Sequence, residues 1–497
     1  MPLLAELPLL PWTVTLPLGG AALSFVLRAR APAVGLAAGV ATAAVGLLLA
    51  LQVATAGLQR HAVGGWGAPL GIDLAADGLS ALMVAMTSVV GLWVSLYAGA
   101  YFGAGNQDGE HQRAYFWPLW LLLWTALNAL FLAADSFNAY VTLELLGLSA
   151  VALVALAATP AALGGAMRYL LVGLLGSLLY LLGVGLLYAL AGTVDFRLLA
   201  AAPLAGPATA VALGVITAGL VLKTALFPFH FWLPPAHASA PAPVSAVLSA
   251  LVVKASFYLL LRFWFWVLPE AATPVTLNLL GLLGALAVLW GGLRALTAER
   301  LKLLVAYSTV AQLGYLFLVF PLALGEADGF TAWGGMTLLL LAHATAKAGM
   351  FLSAGAILKG AAHDGVSGID GAAQAMPVTT FAFALAGVSL IGLPPTGGFA
   401  GKWLLLNAAL ATGQWGWAAV LLAGSLLAAA YTVRVLTHAF TRLPGEPPAC
   451  VVPGRLEWTA VALAVTALAL GLAAGEVLEL LRVGAPVVGP VLLEQAR

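Results

Sequence analysis

Six lysines occur in the 497 residues, and four of them, Lys223, Lys254, Lys347 and Lys402, fall inside long apolar runs rather than between them. A charge at the centre of a bilayer costs about 2.5–3.5 kcal/mol on insertion scales, so such side chains face a protein or water-filled interior and commonly mark ion pathways. Glu144 is the one plainly intramembrane acid to set against them. Amines and a carboxylate spread through a low-dielectric interior can hand protons along, because a nearby opposite charge decides how firmly each lysine holds its proton. At a separation of about 6 Å and an effective dielectric of about 20, Glu144 would stabilise the ammonium of Lys223 by roughly 3 kcal/mol. Lys359 sits at the end of a run, where a long side chain reaches the interface and needs no function.

Lys223 lies five residues before Pro228 in Lys223-Thr-Ala-Leu-Phe-Pro-Phe-His-Phe-Trp-Leu-Pro-Pro235. Each proline lacks an amide donor and clashes with the preceding turn, so a helix entering this stretch must break. The carbonyls it frees need water, an ion or a side chain in a membrane interior. His230 stands in the break, where it is either a proton relay, titrating near neutrality, or a static hydrogen-bonding group. A second interruption, Gly392-Leu-Pro-Pro-Thr-Gly-Gly-Phe-Ala-Gly-Lys402, again couples Pro and Gly to a lysine. His343 and Lys347 are four apart, which puts both on one helix face as a candidate relay step. Ser308 and Gln312 share that spacing, and their simplest role is ordinary hydrogen bonding between helices.

Other chemistries find no support. His61, His111, His363 and His438 are scattered without metal-ligand spacing, so no metal site is expected. The only cysteine, Cys450, lies in a Pro-rich stretch, which leaves this chain no disulfide and no thiolate redox centre. No phosphate-cradling loop precedes a lysine after a strand, so ATP hydrolysis is not expected. A net charge of +1 gives no reason to expect nucleic-acid binding. The chain is expected to need no cofactor.

The elements that must hold these residues follow from composition. With 63% hydrophobic and 8% charged residues, a water-soluble fold is excluded. A span needs about 20 apolar residues, and that rule gives about fourteen helices, near 9–27, 32–56, 77–102, 114–133, 136–158, 166–190, 207–227, 242–266, 273–296, 301–323, 330–358, 376–410, 417–440 and 456–475. The fold class is therefore an all-α polytopic membrane protein. Met1 to Trp12 carries Glu6 and no basic region, so a cleaved signal peptide is not expected. Arg28, Arg30, Arg113, Arg168, Arg294, Arg300, Lys302, Lys359, Arg434, Arg442 and Arg455 gather in or beside alternate loops, whereas the other side holds few besides Arg60, Arg197, Arg262 and Arg482. Positive residues stay cytoplasmic, which predicts a bacterial-type inner membrane protein with both termini outside the cytoplasm. Trp12, Trp117 and Trp415, near predicted ends, read as an interfacial aromatic belt.

Two lysine-associated breaks five helices apart suggest an internal repeat, and an odd separation makes the copies opposite in topology. With these residues assembled, the chain resembles the antiporter-like membrane subunits of respiratory complex I, Mrp-type sodium/proton antiporters and membrane-bound hydrogenases. The resemblance rests on Thr142-Leu-Glu144, Lys223 to Trp232-Leu-Pro, Ser239-Ala-Pro-Ala-Pro-Val-Ser245 leading to Lys254, Ala306-Tyr-Ser308, and Gly392 to Lys402. It implies fourteen helices with two inverted five-helix repeats and two broken helices, divided as 1–113, 114–266, 273–440 and 441–497. It also implies that Glu144 and Lys223 form an ion pair, that Lys254 is a central relay and that Lys402 is the terminal exchange residue. Lysine at 402, and the lack of spans beyond the fourteenth, resemble the Mrp D-type or N-like subunits. Against a simple D-type assignment, Phe229-His230-Phe231-Trp232 is more similar to the A-type or complex I segment.

The expected function is proton translocation, with sodium/proton exchange within the family's range, by a subunit bound to other membrane subunits and the lipid bilayer. It carries no redox or hydrolytic site of its own. A complex I, membrane-hydrogenase or bicarbonate-uptake partner would use the same parts. A small-solute transporter would also use broken helices, but it should gather polar groups at one pocket. Here charges recur on the fifth, seventh, eighth, eleventh and twelfth spans. A purely structural scaffold leaves four costly lysines without a role.

Overall fold

The structure is a computed structural model, and it describes residues 7–103, 107–323, 329–361, 363–441 and 452–486. Glu6, Arg442 and Cys450 lie outside the described residues. Within them, thirteen helices are long and apolar enough to cross a membrane. They include α1 (Leu9–Val26), α2 (Ala31–Ala56), α3 (Gly78–Tyr101), α4 (Gln107–Leu132), α5 (Ser136–Ala155) and α6 (Pro160–Ala191). Then come α7 (Pro207–Ser239), α8 (Ala242–Val267), α9 (Pro274–Thr297), α10 (Leu301–Ala323) and α11 (Phe330–Ala361). The run over 376–410, expected to carry the second break, is α12, two shorter helices at Pro377–Ile391 and Gly397–Ala411, and with it the fourteen expected crossings are accounted for. The series closes with α13 (Trp415–Phe440) and α14 (Gly454–Leu472).

Local chemistry sets the boundaries. Asp135 caps α5 by accepting from the Asn138 amide, Thr159 caps α6 ahead of Pro160, and Thr273 closes a reciprocal capping box on α9. Where two helices must nearly touch, glycine makes it possible: a Cβ on Gly219 would lie 2.4 Å from the Gly176 carbonyl oxygen, so α6 and α7 pack backbone to backbone. The most apolar windows of α8 and α11 are buried throughout, and that of α10 is nearly so. These three helices form the centre of the bundle. The others wrap them, with α14 and the second half of α12 against α11, and α9 against α10.

Several expectations are corrected. The helix expected to stop near 227 continues after its break, through a short turn of helix at Phe229–Trp232, to Ser239. A two-stranded hairpin, Gln59–Ala62 against Asp73–Ala76, interrupts the otherwise helical chain. Arg60 ties it to the loop before Phe196 by pairing with both Asp73 and Asp195. Arg262, expected near the end of a span, is buried in α8 and bonded to Asp77 at 2.5 and 2.7 Å. A carboxylate 185 positions earlier is what allows that charge inside. Lys302 likewise turns inward, its ammonium donating to the Ala240 carbonyl. Of the three tryptophans assigned to the belt, Trp12 and Trp415 are 51% and 69% exposed, but Trp117 is 1% exposed. Its ring fills the space left by Gly35, where a Cβ would come within 2.3 Å of it.

Candidate proton-transfer site

The first charged pair forms where α5, α6 and α7 meet. Lys223 Nζ lies 3.5 Å from Glu144 Oε1, and both side chains are largely buried. The lysine stem passes over Gly176, where a Cβ would press to 2.9 Å against its Cγ. Immediately after Lys223 the helix ends, with Ala225 at φ 57°. The carbonyl of Leu222, at this break, accepts from the Ala225 amide at 3.2 Å and from the indole of Trp232 at 3.0 Å, and Trp232 stacks on Tyr169 with centroids 4.3 Å apart. The break is thus held by specific contacts. One residue on, Thr224 donates to Ser256 of α8, two positions from Lys254.

Lys254 is fully buried, and its ammonium donates to the Ser249 carbonyl at 2.8 Å. Residues Leu248–Val252 form a π-helical turn, a feature that changes which carbonyls are open and is frequent at functional sites. The Ser249 hydroxyl meets the Thr309 hydroxyl of α10 at 2.8 Å. The neighbouring Ser308 receives a short hydrogen bond from Lys347 of α11, whose ammonium also donates to the Val305 carbonyl at 2.9 Å. Adjacent hydroxyls on one helix therefore stand between two buried lysines.

The same helix continues the series. One turn beyond Ser308, Gln312 donates to the Leu390 carbonyl at the broken end of α12. Lys402, on the far side of that break, donates to the same carbonyl at 2.9 Å, to Ile391 at 3.1 Å and to the Ser425 hydroxyl at 3.1 Å. Its ammonium also lies 4.4 Å from the centroid of the Tyr315 ring. Gly392 makes this possible on two counts: its φ is +88°, and a Cβ there would lie 2.8 Å from the Lys402 stem. Ser308 and Gln312 are interhelical ties, as their spacing suggests, but what they tie is a lysine and a lysine's acceptor.

His343 is buried on the same helix as Lys347, makes no hydrogen bond to protein through either ring nitrogen, and lies within electrostatic reach of Lys254, Lys347 and Lys402. His230 is also buried but stands apart, stacked on Phe227 with an unpartnered Nδ1 and within electrostatic reach of Arg294. It is not joined to the lysine series by any direct hydrogen bond among the described residues. Lys359 behaves as expected of an interfacial residue, donating to the Tyr101 carbonyl and resting 4.5 Å over that ring. Sequence reasoning missed Thr309, Ser249, Tyr315, Ser425 and His237. The last stands seven residues after His230 beside the Pro234-Pro235 pair, which was the available signal.

Broken helices at α7 and α12, buried lysines on α7, α8, α11 and α12 and one carboxylate on α5 define an antiporter-like membrane subunit. The model of the family described as NADH:quinone oxidoreductase/Mrp antiporter, TM matches residues 133–428, and the chain belongs to that family. It is 39% identical over 395 residues to the N-type subunit of NADH-quinone oxidoreductase from Desulforudis audaxviator (strain MP104C), covering 78% of this chain and 77% of that one. It is 30% identical over 408 residues to the D-type subunit of a Na(+)/H(+) antiporter from Bacillus subtilis (strain 168), covering 81% and 80%. Among solved structures, a chain of the Mrp complex from Dietzia sp. DQ12-45-1b superposes with a TM-score of 0.86 at 26% identity, covering 100% of this chain and 99% of that one.

Proposed function

We propose that this polytopic integral membrane protein is the proton-translocating subunit of a multi-subunit membrane complex, moving protons along Glu144, Lys223, Lys254, Lys347, His343 and Lys402. The observation that carries the reading is the role of α10: Thr309, Ser308 and Gln312 link the surroundings of Lys254, Lys347 and Lys402 within little more than one helical turn. The Glu144–Lys223 pair then acts as the switch at one end. While the pair is closed the ammonium is stabilised, and separating the charges pushes the proton on towards Lys254. Arrival of charge at Lys402, cradled by carbonyls of the second break, governs exchange with the far side. Each of the four lysines holds a carbonyl, carboxylate or hydroxyl partner, and bridging water would carry the proton between them.

The two broken helices support division into 1–113, 114–266, 273–440 and 441–497, with α4 to α8 and α9 to α13 as inverted five-helix units. The alternate-loop bias of Arg and Lys supports a plasma-membrane protein with both termini outside the cytoplasm. The relatives in both complex I and Mrp assemblies support other membrane subunits as partners, and sodium as an exchange ion in the antiporter setting. The test is proton flux in sealed vesicles containing the intact complex. Lys254→Ala and Lys347→Ala should each remove it at normal assembly, and wild-type flux in both would overturn the reading.

A further inference from the structure

Between α2 and α14 lies a cleft of about 610 Å³, lined by none of the residues of the proton pathway. Its floor is Trp93, Leu96 and Gly99 of α3, and its walls are Pro32 and Leu36 of α2 and Trp458 of α14. The two hydroxyls within it are already engaged. Ser95 donates to the Gly91 carbonyl at 2.7 Å and accepts from the Trp120 indole at 2.9 Å, and Thr459 donates to the Arg455 carbonyl at 2.8 Å. Below its mouth the cleft is therefore apolar, and water would find few partners in it. Such a surface calls for an apolar occupant.

Its depth is that of one leaflet. Trp93, the deepest of its α3 residues, lies eight positions before Tyr101, the end of that helix, or about 12 Å along the axis. Tyr101 marks the interface, since the ammonium of Lys359 rests on it. The hydrocarbon core is about 30 Å thick, so the cleft spans most of one half. Two contacts end it there. Gly46 lets α2 close on α3, where a Cβ would run into the Ser88 hydroxyl, and the short helix Ala474–Leu481 packs on α3 and reaches α2. A crossing helix of a partner would need a groove through both halves, whereas an acyl chain needs only this one.

The mouth is basic. Arg455, the second residue of α14, borders the cleft and is exposed, and its guanidinium has no carboxylate or hydrogen-bond partner among the described residues. Glu457, two positions on, does not offset it, because that carboxylate accepts from Thr379 of α12 at 2.9 Å. Arg28 and Arg30 stand just before Pro32, and Arg28 lies 5.5 Å from the centroid of the Tyr115 ring. Trp458, at the same level, is 64% exposed. An indole there suits a boundary that is apolar on one side and wet on the other.

We propose that this cleft is a binding site for one anionic phospholipid, with an acyl chain along Trp93 and Leu96 and the phosphate on Arg455. The proposal does not depend on the proton pathway. Charge decides the class of lipid: a guanidinium forks onto phosphate oxygens, and basic pockets between membrane helices favour anionic headgroups. A zwitterionic lipid would bring its own cation up to Arg455. The bound lipid fills the seam between α2, α3 and α14. It thereby braces α3, which holds α11 through the Tyr97 hydroxyl, a donor to the Leu352 carbonyl at 3.0 Å.

The experiment places the intact complex in nanodiscs of phosphatidylglycerol and phosphatidylethanolamine, strips it with mild detergent and counts the retained phospholipids by mass spectrometry. Wild type should keep one phosphatidylglycerol per chain that Gly99→Leu loses, the new side chain entering the cleft from a position where a Cβ meets nothing within 4 Å. Arg455→Gln should weaken retention of phosphatidylglycerol by about tenfold, as the loss of one charge-assisted hydrogen bond does, and Arg455→Lys should keep most of it. Equal phosphatidylglycerol in wild type, Gly99→Leu and Arg455→Gln overturns the site. Loss of phosphatidylethanolamine alone from Gly99→Leu overturns the anionic assignment, and loss of a partner subunit in place of lipid overturns the lipid itself. Should Gly99→Leu fail to assemble, the Arg455 variants decide: equal retention with glutamine and lysine overturns the proposal.

Discussion

Lys402 and Gln312 donate to one and the same oxygen, the Leu390 carbonyl, at 2.9 and 3.0 Å from two different helices. That carbonyl is free because α12 stops there, and the break exists because Gly392 and the prolines after it cannot continue a helix. An ammonium and an amide thus share the acceptor that the break creates. Lys402→Ala should stop net proton flux while leaving the Glu144–Lys223 pair intact. Gln312→Ala removes a hydrogen bond worth about 1 kcal/mol and should slow flux by roughly fivefold. Flux assays in sealed vesicles distinguish the two, and full transport with Lys402→Ala would remove that lysine from the path.

At the other end of the series, Lys223→Ala should abolish coupled transport, and because it also strands the Glu144 carboxylate it should lower the amount of assembled complex. Quantifying the subunit in purified complex separates the two effects. Normal assembly together with wild-type flux would exclude Lys223 from the pathway.

A stability prediction concerns Arg262, which forks onto Asp77, donates to the Ser80 hydroxyl at 2.8 Å and lies 4.8 and 4.5 Å from the rings of Tyr258 and Trp266. Breaking a buried pair by removing one partner leaves a bare charge and costs about 3–5 kcal/mol. Arg262→Ala and Asp77→Ala should each lower the unfolding temperature of the detergent-solubilised complex, and the double variant should cost less than the sum. Strict additivity would mean that the pair is not coupled.

The lysines were legible because a charge inside an apolar run is expensive and needs a reason, and both breaks were legible because proline announces them. The connection through α10 was not. Ser308, Thr309 and Gln312 are ordinary residues for a membrane helix until their partners, 39 to 78 positions away, are known. The partner of Arg262 was hidden for the same reason: only the folded chain brings Asp77 to it. Trp117 looked interfacial because nothing local reveals that Gly35 opens a space for it.

Outside the spans, burial raises the carboxyl of Asp135 above the usual carboxylate range, with Asp195 and Asp73 adding to the effect and the Asn138 and Phe137 amides opposing it. A carboxyl raised in the folded state loses stability as pH climbs from the unfolded value through the folded one, and the loss is complete above both. Asp135→Asn keeps a capping oxygen for the Asn138 amide and discards the buried charge. Its unfolding temperature should therefore exceed wild type at neutral pH, with the difference shrinking near pH 4, about where an unperturbed aspartate titrates. An equal difference at both values would assign the effect to something other than ionisation.

Glu144→Gln is the sharpest test of the switch, because it is nearly isosteric and keeps a group able to hydrogen-bond. Only the charge changes. At the observed 3.5 Å, an effective dielectric of about 20 gives about 5 kcal/mol of attraction between the two charges. Lys223 would then lie buried beside a neutral amide, with no anion to hold its proton and none whose separation could release it. Initial proton flux should fall by about tenfold at least, since each 1.36 kcal/mol of lost interaction is a factor of about ten. Glu144→Asp restores the charge on a shorter stem and should recover part of the rate, which a packing defect at this position would not predict. The measurement is initial flux in sealed vesicles for wild type and both variants, normalised to assembled complex. A rate for Glu144→Gln equal to wild type at equal assembly would mean that Glu144 does not govern Lys223, and the paired switch would have to be abandoned.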